Sequence, residues 1–163
     1  MTVWSGKHVA QFVRQPPEIK INPNGVDMKA SEVWLILGDT VSVLNGKVRV
    51  TIPEKEKILP DAEGFYNLRQ GTYEVRAANE ITIPQGAVAR FYPRSSFNRL
   101  GMISSNTAIG DSGYTGFVTR TVHIPIKLFR VHKDEFMFQM AMEDCEPSDV
   151  QYSGHWQGEK PNA

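Results

Sequence analysis

"GFVTRTVHIPIKLF", residues Gly116 to Phe129, alternates apolar side chains with small or polar ones over most of its length. A period of two sends successive side chains to opposite faces of an extended chain, the pattern of a half-buried strand. Pro125 has no N–H to give to a ladder, so the run predicts a strand that breaks there. The same habit extends outward in both directions. "TYEVRA" (Thr72 to Ala77) alternates after Gln70-Gly71, and "VWLILG" (Val33 to Gly38) reads as a buried strand ending in a turn. "EITIP" ends at Pro84 and "AVARFYP" at Pro93. "KVRVTI" (Lys47 to Ile52) follows Asn45-Gly46, a pair that favours hairpin turns. "EFMFQMAM" is short and aromatic, which favours strand over helix. Turn residues return about every ten positions, as in all-β sandwiches and barrels. Helical pattern is confined to "SSFNRLGM" (Ser95 to Met102), enough for one or two turns with Ser95 or Ser96 near the start. "PEKEKILPDAEG" reads as a charged, solvated loop, and "HWQGEKPNA" as a polar tail that orders only if something holds it.

The chain has 163 residues, 40% hydrophobic and 22% charged, which predicts one globular domain with residues 1–20 as an N-terminal extension and 150–163 as the tail. Lys plus Arg equals Asp plus Glu at 18 each, a balance that speaks against a general binder of nucleic-acid polymers. With one cysteine, Cys145, neither an intrachain disulfide nor a cysteine-built metal site can form. Its neighbours Asp144 and Glu146 oppose an activated thiolate, so Cys145 reads as a quiet thiol. His8, His123, His132 and His155 show no ligand spacing, and a zinc deaminase's His/Cys/Cys set is missing. There is no apolar run of a signal peptide and none near the ~20 residues of a spanning helix, so a cytoplasmic protein with no membrane partner is expected.

The chemistry-bearing residues sit in short turn-bounded segments. Arg94, Ser95 and Ser96 follow Pro93, and a guanidinium beside two hydroxyls at a helix start can cradle an anion. The ordinary reading is a strand-to-helix cap with a surface arginine. Arg99 would share the face of Ser95 if the turn is helical. In "IGDSGYTG", Asp111 lies between Gly110 and Gly113. An aspartate in a tight turn commonly bonds the backbone two residues on; it can also orient and deprotonate a water. Tyr114 offers a ring for stacking on a flat ligand. Asp27, after the turn Pro23-Asn24-Gly25, is either a turn residue or a carboxylate for the waters of a magnesium ion. Gln139 is a lone amide in an apolar run, facing solvent or a ligand.

In order and spacing, these segments resemble the superfamily of trimeric dUTPases and dCTP deaminases. "GVDMKAS" resembles its first motif, "YPRSSFNRLGM" its second and "TAIGDSGYTG" its third, in the form of archaeal-type members. "FMFQMAM" stands where the fourth is expected, and "YSGHWQGEK" is similar to a deaminase-type tail. The resemblance spans roughly residues 21 to 160 and implies a distorted all-β jelly-roll or barrel, assembled as a homotrimer with sites between subunits. It implies that Arg94, Ser95, Ser96 and Gln139 hold a triphosphate and that Thr107, Ala108 and Ile109 admit the pyrimidine and deoxyribose. Tyr114 would stack under the sugar, and Trp156, Gln157 and Lys160 would close over the phosphates. Asp111 would be the catalytic base and Asp27 would position Mg2+ through water. The implied reaction is hydrolysis of dUTP to dUMP and pyrophosphate. The deaminases carry a glutamate ten residues beyond the aspartate; here that position is Thr121, and Ile109 lies where they tend to carry an arginine. Both differences favour hydrolysis over deamination. The alternatives are a dCTP deaminase and a non-catalytic relative that binds a nucleotide or a protein. Asp134 and Glu135 replace the basic character usual before the glutamine of the fourth motif, and negative charge beside a triphosphate is unfavourable unless it points away.

Overall fold

The computed structural model describes residues 2–39, 41–43, 53–104, 109–150, 152–154 and 157–160. The expected hairpin strand at 47–52 and the expected site residues Thr107, Ala108 and Trp156 lie outside them. The described chain is β-rich: β1 (Lys20–Asn22), β2 (Gly25–Ile36), β3 (Lys55–Ile58), β4 (Phe65–Thr82), β5 (Ala87–Pro93), β6 (Ile103–Ser104), β7 (Thr115–His132) and β8 (Phe136–Asp144). Two short helices join them, α1 (Gly6–Val9) and α2 (Ser95–Arg99). The strands follow the order β5-β8-β2-β4-β7-β6, with β1 and β3 both pairing with β2. This is the all-β, barrel-like architecture that the alternating segments predict and the distorted barrel that the resemblance implies.

β2 makes the barrel turn its corner. Val26 to Lys29 pair with β8, whereas Ala30 to Leu35 pair with β4, and the register slips at Met28/Lys29 and again at Ala30/Glu32. Bulges bend a strand and let it leave one sheet for another. The bend puts the start of β2, which carries Asp27, between β1 and β8.

β7 departs from the expected break at Pro125. It runs unbroken from Thr115 to His132 against β4. Pro125 falls instead in a bulge, where Gly71 opposes Ile124 and Arg69 opposes Leu128. A bulge tolerates a residue that cannot donate, so the strand continues. The inward parity changes across it: Val118, Val122 and Ile124 are buried before the bulge, Phe129 and Val131 after it. The expected charged loop at 53–64 also departs from the reading. Lys55–Ile58 pairs with Val33 to Ile36 as an edge strand, and its lysines are the kind of charge that protects an edge.

The core gathers Met28, Val33, Leu68, Val75, Ile81, Ile83, Phe91, Met140 and Met142 between the curved faces. Val9, Val13 and Ile19 join it from the N-terminal segment. Among the described residues no helix is long and apolar enough to cross a membrane.

Candidate functional site

The site begins where β5 runs into α2. Pro93 ends the strand, and Arg94, extended at φ −64° and ψ 144°, precedes the first helical residue. Ser95 and Ser96 open the helix and are exposed, while Phe97 anchors it in the core against Phe129. Arg99 is exposed on the same short helix.

Arg94 turns back over the outer face of β8 and β2. Its Nε lies 3.1 Å from Asp27 Oδ2. Its Nη1 donates to the Phe136 carbonyl at 2.9 Å and to Glu135 Oε1. Asn22 Nδ2 donates to the other Asp27 oxygen at 2.7 Å. Asp27 is 3% exposed, and that burial pushes its carboxyl above the usual range while Arg94 and Asn22 pull it back. Gln139 stands directly opposite Asp27 on one side and Tyr92 on the other. Opposed side chains share a face, so Tyr92, Gln139 and Asp27 form one row across three strands. That row leads into a cavity of about 220 Å³ lined by Tyr92, Gln139, Asn24, Arg90 and Glu143, among others. The structure thus brings Arg94, Asp27 and Gln139 together, with Ser95 and Ser96 beside them.

Asp111 lies elsewhere. Gly110 exchanges both backbone hydrogen bonds with Ala89 at 2.9 and 3.0 Å, fastening the segment to β5. A side chain at Gly110 would sit 2.6 Å from Ile83 Cδ1 and 3.1 Å from Ala89 Cβ, so this close approach requires glycine. Ser112 Oγ donates to the Ala87 carbonyl at 2.6 Å, and Gly113 turns the chain at φ 88°. Asp111 and Ile109 are left exposed at the mouth. Tyr114 is 9% exposed; its hydroxyl donates to the Phe117 carbonyl at 3.0 Å and its ring meets Tyr152 edge-on. Burial raises that hydroxyl's pKa. Arg94 follows Ala89 by five residues of extended chain, about 16 Å, so the Arg94 and Asp111 groups stand at opposite ends of β5.

The tail is held. The Gln157 side-chain amide accepts from Thr115 N–H at 3.2 Å and donates to the Gly113 carbonyl at 3.0 Å. Arg76, nearly buried, binds the Lys160 carbonyl at 2.7 Å and Glu159 Oε1 at 3.0 Å, and Thr119 Oγ1 adds a bond to Glu159 at 3.2 Å. Arg76 also lies 3.4 Å from Glu32, whose other oxygen accepts from Lys57 at 3.0 Å. Burial pushes the Glu159 carboxyl upward, and Arg76 opposes the shift. Sequence reasoning did not single out Arg76, Glu159 or Asn22. Their partners lie five to 84 positions away along the chain, and no motif announces them. Glu135 was visible as an acidic residue in an unexpected place; that it points at Arg94 was not.

Magnesium binds hard oxygen donors, often through one or two carboxylates together with substrate phosphates. Asp27 and Glu135 flank Arg94 with such oxygens, and both fit an ion delivered with a phosphate chain. Among the described residues, no three His, Cys, Asp or Glu side chains form a self-contained metal cage.

The sequence model of a family described as dCTP deaminase-like matches residues 5–145. A probable deoxyuridine 5'-triphosphate nucleotidohydrolase of Halobacterium salinarum is 33% identical over 116 residues, covering 68% of each chain. A dUMP-forming dCTP deaminase of Persephonella marina is 25% identical over 146 residues, covering 87% of this chain and 80% of that one. In fold, 87% of the chain superposes on the crystal structure of the 2'-deoxycytidine 5'-triphosphate deaminase from Agrobacterium tumefaciens with a TM-score of 0.66 at 13% identity. The chain spans 47% of that protein's length. With the β-barrel fold in agreement with these matches, the chain belongs to the dCTP deaminase-like family.

Proposed function

We propose that the protein hydrolyses dUTP to dUMP and pyrophosphate. The observation that carries this reading is Asp111, an exposed carboxylate on a hairpin made rigid by paired backbone bonds to β5. A base fixed this way can align a water without reorganising. Asp111 takes the water's proton as its oxygen bonds to the α-phosphorus, and the bond to the bridging oxygen breaks with pyrophosphate as the leaving group. Arg94, Ser95, Ser96 and Gln139 bind the phosphate chain. Ile109, with Thr107 and Ala108, borders the nucleoside. Tyr114 shapes the hairpin from beneath and presents the wall for the sugar. Gln157 and Lys160, with Trp156, belong to the tail that covers the site. Asp27 would hold a magnesium ion through water, and that ion, when bound, would offset charge on the triphosphate.

The backbone at Arg94 stands about 16 Å from the Ala89 pairing that fastens the Asp111 hairpin, a long reach for two groups that serve one triphosphate. Supplying each from a different copy would resolve this, as in a homotrimer with sites between subunits. Arg94 of one protomer would then meet Asp111 of the next.

Deamination of dCTP is the second reading, and one observation favours it. Thr121 replaces the deaminase glutamate, but Glu74 lies directly opposite Thr121 on β4 and shares its face. Glu74 is held by Lys55. Product analysis separates the two. With magnesium, dUTP should give dUMP and pyrophosphate while dCTP stays intact. Uracil nucleotides from dCTP would transfer the function to the deaminase reading. Turnover of neither would favour a relative that binds without catalysis.

A further inference from the structure

Arg94, the cation offered to phosphate, already holds two acidic partners. Asp27 lies 3.1 Å from Nε, and Nη1 is shared between the Glu135 carboxylate and the Phe136 carbonyl. Two carboxylates face one guanidinium, so Arg94 is already neutralised where a polyphosphate must bind. The two acids are not equivalent. Asp27 is buried and pinned by Asn22, so it cannot leave. The Glu135 side chain is 48% exposed and sits on the turn into β8, where its N–H donates to the His132 carbonyl at 3.0 Å. A rotamer change returns it to water and, besides Arg94, gives up only the bond from Phe136 N–H at the start of the strand.

We propose that Glu135 is a tethered competitor for the phosphate chain, occupying Arg94 until a polyphosphate displaces it, and so a specificity-determining residue of this site. Charge-assisted bonds to guanidinium are the strong ones, and a carboxylate and a phosphate oxygen use the same donors. A triphosphate brings several charges and further contacts, so it can expel Glu135. A single phosphate gains less from the exchange, so Glu135 competes better against the nucleotide product, which carries only one, than against the triphosphate. The device discriminates substrate from product and sets affinity. It rests on the dUTP reading only in taking a polyphosphate as the ligand.

The test is calorimetric titration of inorganic tripolyphosphate, and separately of inorganic phosphate, into the full chain. Glu135→Gln keeps the oxygen that accepts from Phe136 N–H at 3.1 Å, so the turn is preserved. It should bind tripolyphosphate about tenfold more tightly than wild type, because a neutral amide holds Arg94 less strongly than a carboxylate. Its preference for tripolyphosphate over phosphate should narrow. Asp134→Asn removes the same charge one residue away, from a carboxylate that faces His132, and should change affinity by less than about twofold. Equal affinity in wild type and Glu135→Gln would overturn the proposal, as would an equal gain in Asp134→Asn or no binding in any of the three. Turnover of dUTP is read in parallel. Tightening without hydrolysis would leave the competitor standing and remove the hydrolase reading; hydrolysis without tightening would do the reverse.

Discussion

At the residue scale, Asp111 and Arg94 carry different parts of the reaction and should fail differently. Asp111→Asn keeps size and most turn bonding but removes the base. Turnover should fall by roughly 10²- to 10⁴-fold with nucleotide affinity little changed. Unchanged turnover in a stopped assay of dUMP release would remove Asp111 from the mechanism. Arg94→Ala should instead weaken nucleotide binding by about 10- to 100-fold, the worth of charge-assisted bonds, and a titration of a non-hydrolysable dUTP analogue reads it directly. Arg76 is a structural counterpart. It is nearly buried and binds Glu32, Glu159 and the Lys160 carbonyl. Arg76→Ala should cost about 3 kcal/mol, at the low end for breaking a buried pair because Lys57 still serves Glu32. Urea denaturation measures that loss.

At the element scale, the turn into β4 shows how one side chain organises a connection. Asp61 Oδ1 accepts from the N–H groups of Glu63 and Phe65 at 3.0 and 2.9 Å, and Oδ2 accepts from Asn67 at 2.7 Å and Arg130 at 3.2 Å. These bonds, led by that from Phe65, lower its pKa from 3.8 to about 2. A depressed carboxyl stabilises the fold above its unfolded pKa and loses that contribution as pH falls through the folded one. Asp61→Asn should therefore flatten the pH dependence of stability between about 4 and about 2, seen as a shallower fall of Tm in acid. An identical slope in the variant would contradict this. Gln157 plays an element-scale role too: by bonding Gly113 and Thr115 it lengthens the hairpin's ladder with a side chain. The same hairpin was legible as turn chemistry, because glycines around an aspartate announce it, but the tail's hold on it was not.

At the scale of the whole molecule, the barrel separates Arg94 from Asp111 along β5. Light scattering should show a trimer, and a stable monomer would undercut the shared site. A mixing experiment is sharper. Arg94→Ala and Asp111→Asn proteins, each impaired alone at low dUTP, should recover part of the turnover when unfolded together and refolded as mixed trimers. No recovery at any ratio would mean that both groups must come from the same chain.

Local chemistry was readable from the amino acids by themselves. Period-two alternation marked β4 and β7, because burial of one face imposes it, while a terminal proline marked β5 and aromatic content over a short run marked β8. Pro93-Arg94-Ser95-Ser96 and the glycines around Asp111 marked turn-bounded segments that offer a candidate site, because anion cradles and tight hairpins need those residue types. The tertiary structure decided the rest, wherever the determining partner is distant in the chain. Pro125 sits inside β7 because β4 accommodates a bulge there. Lys55 to Ile58 becomes a strand because β2 leaves an edge to pair with. Asp27 is buried because β2 bends between two sheets beneath Arg94. Glu135 meets Arg94 across 41 positions because β8 lies alongside β5, and pairing between strands obeys spatial neighbours rather than sequence neighbours.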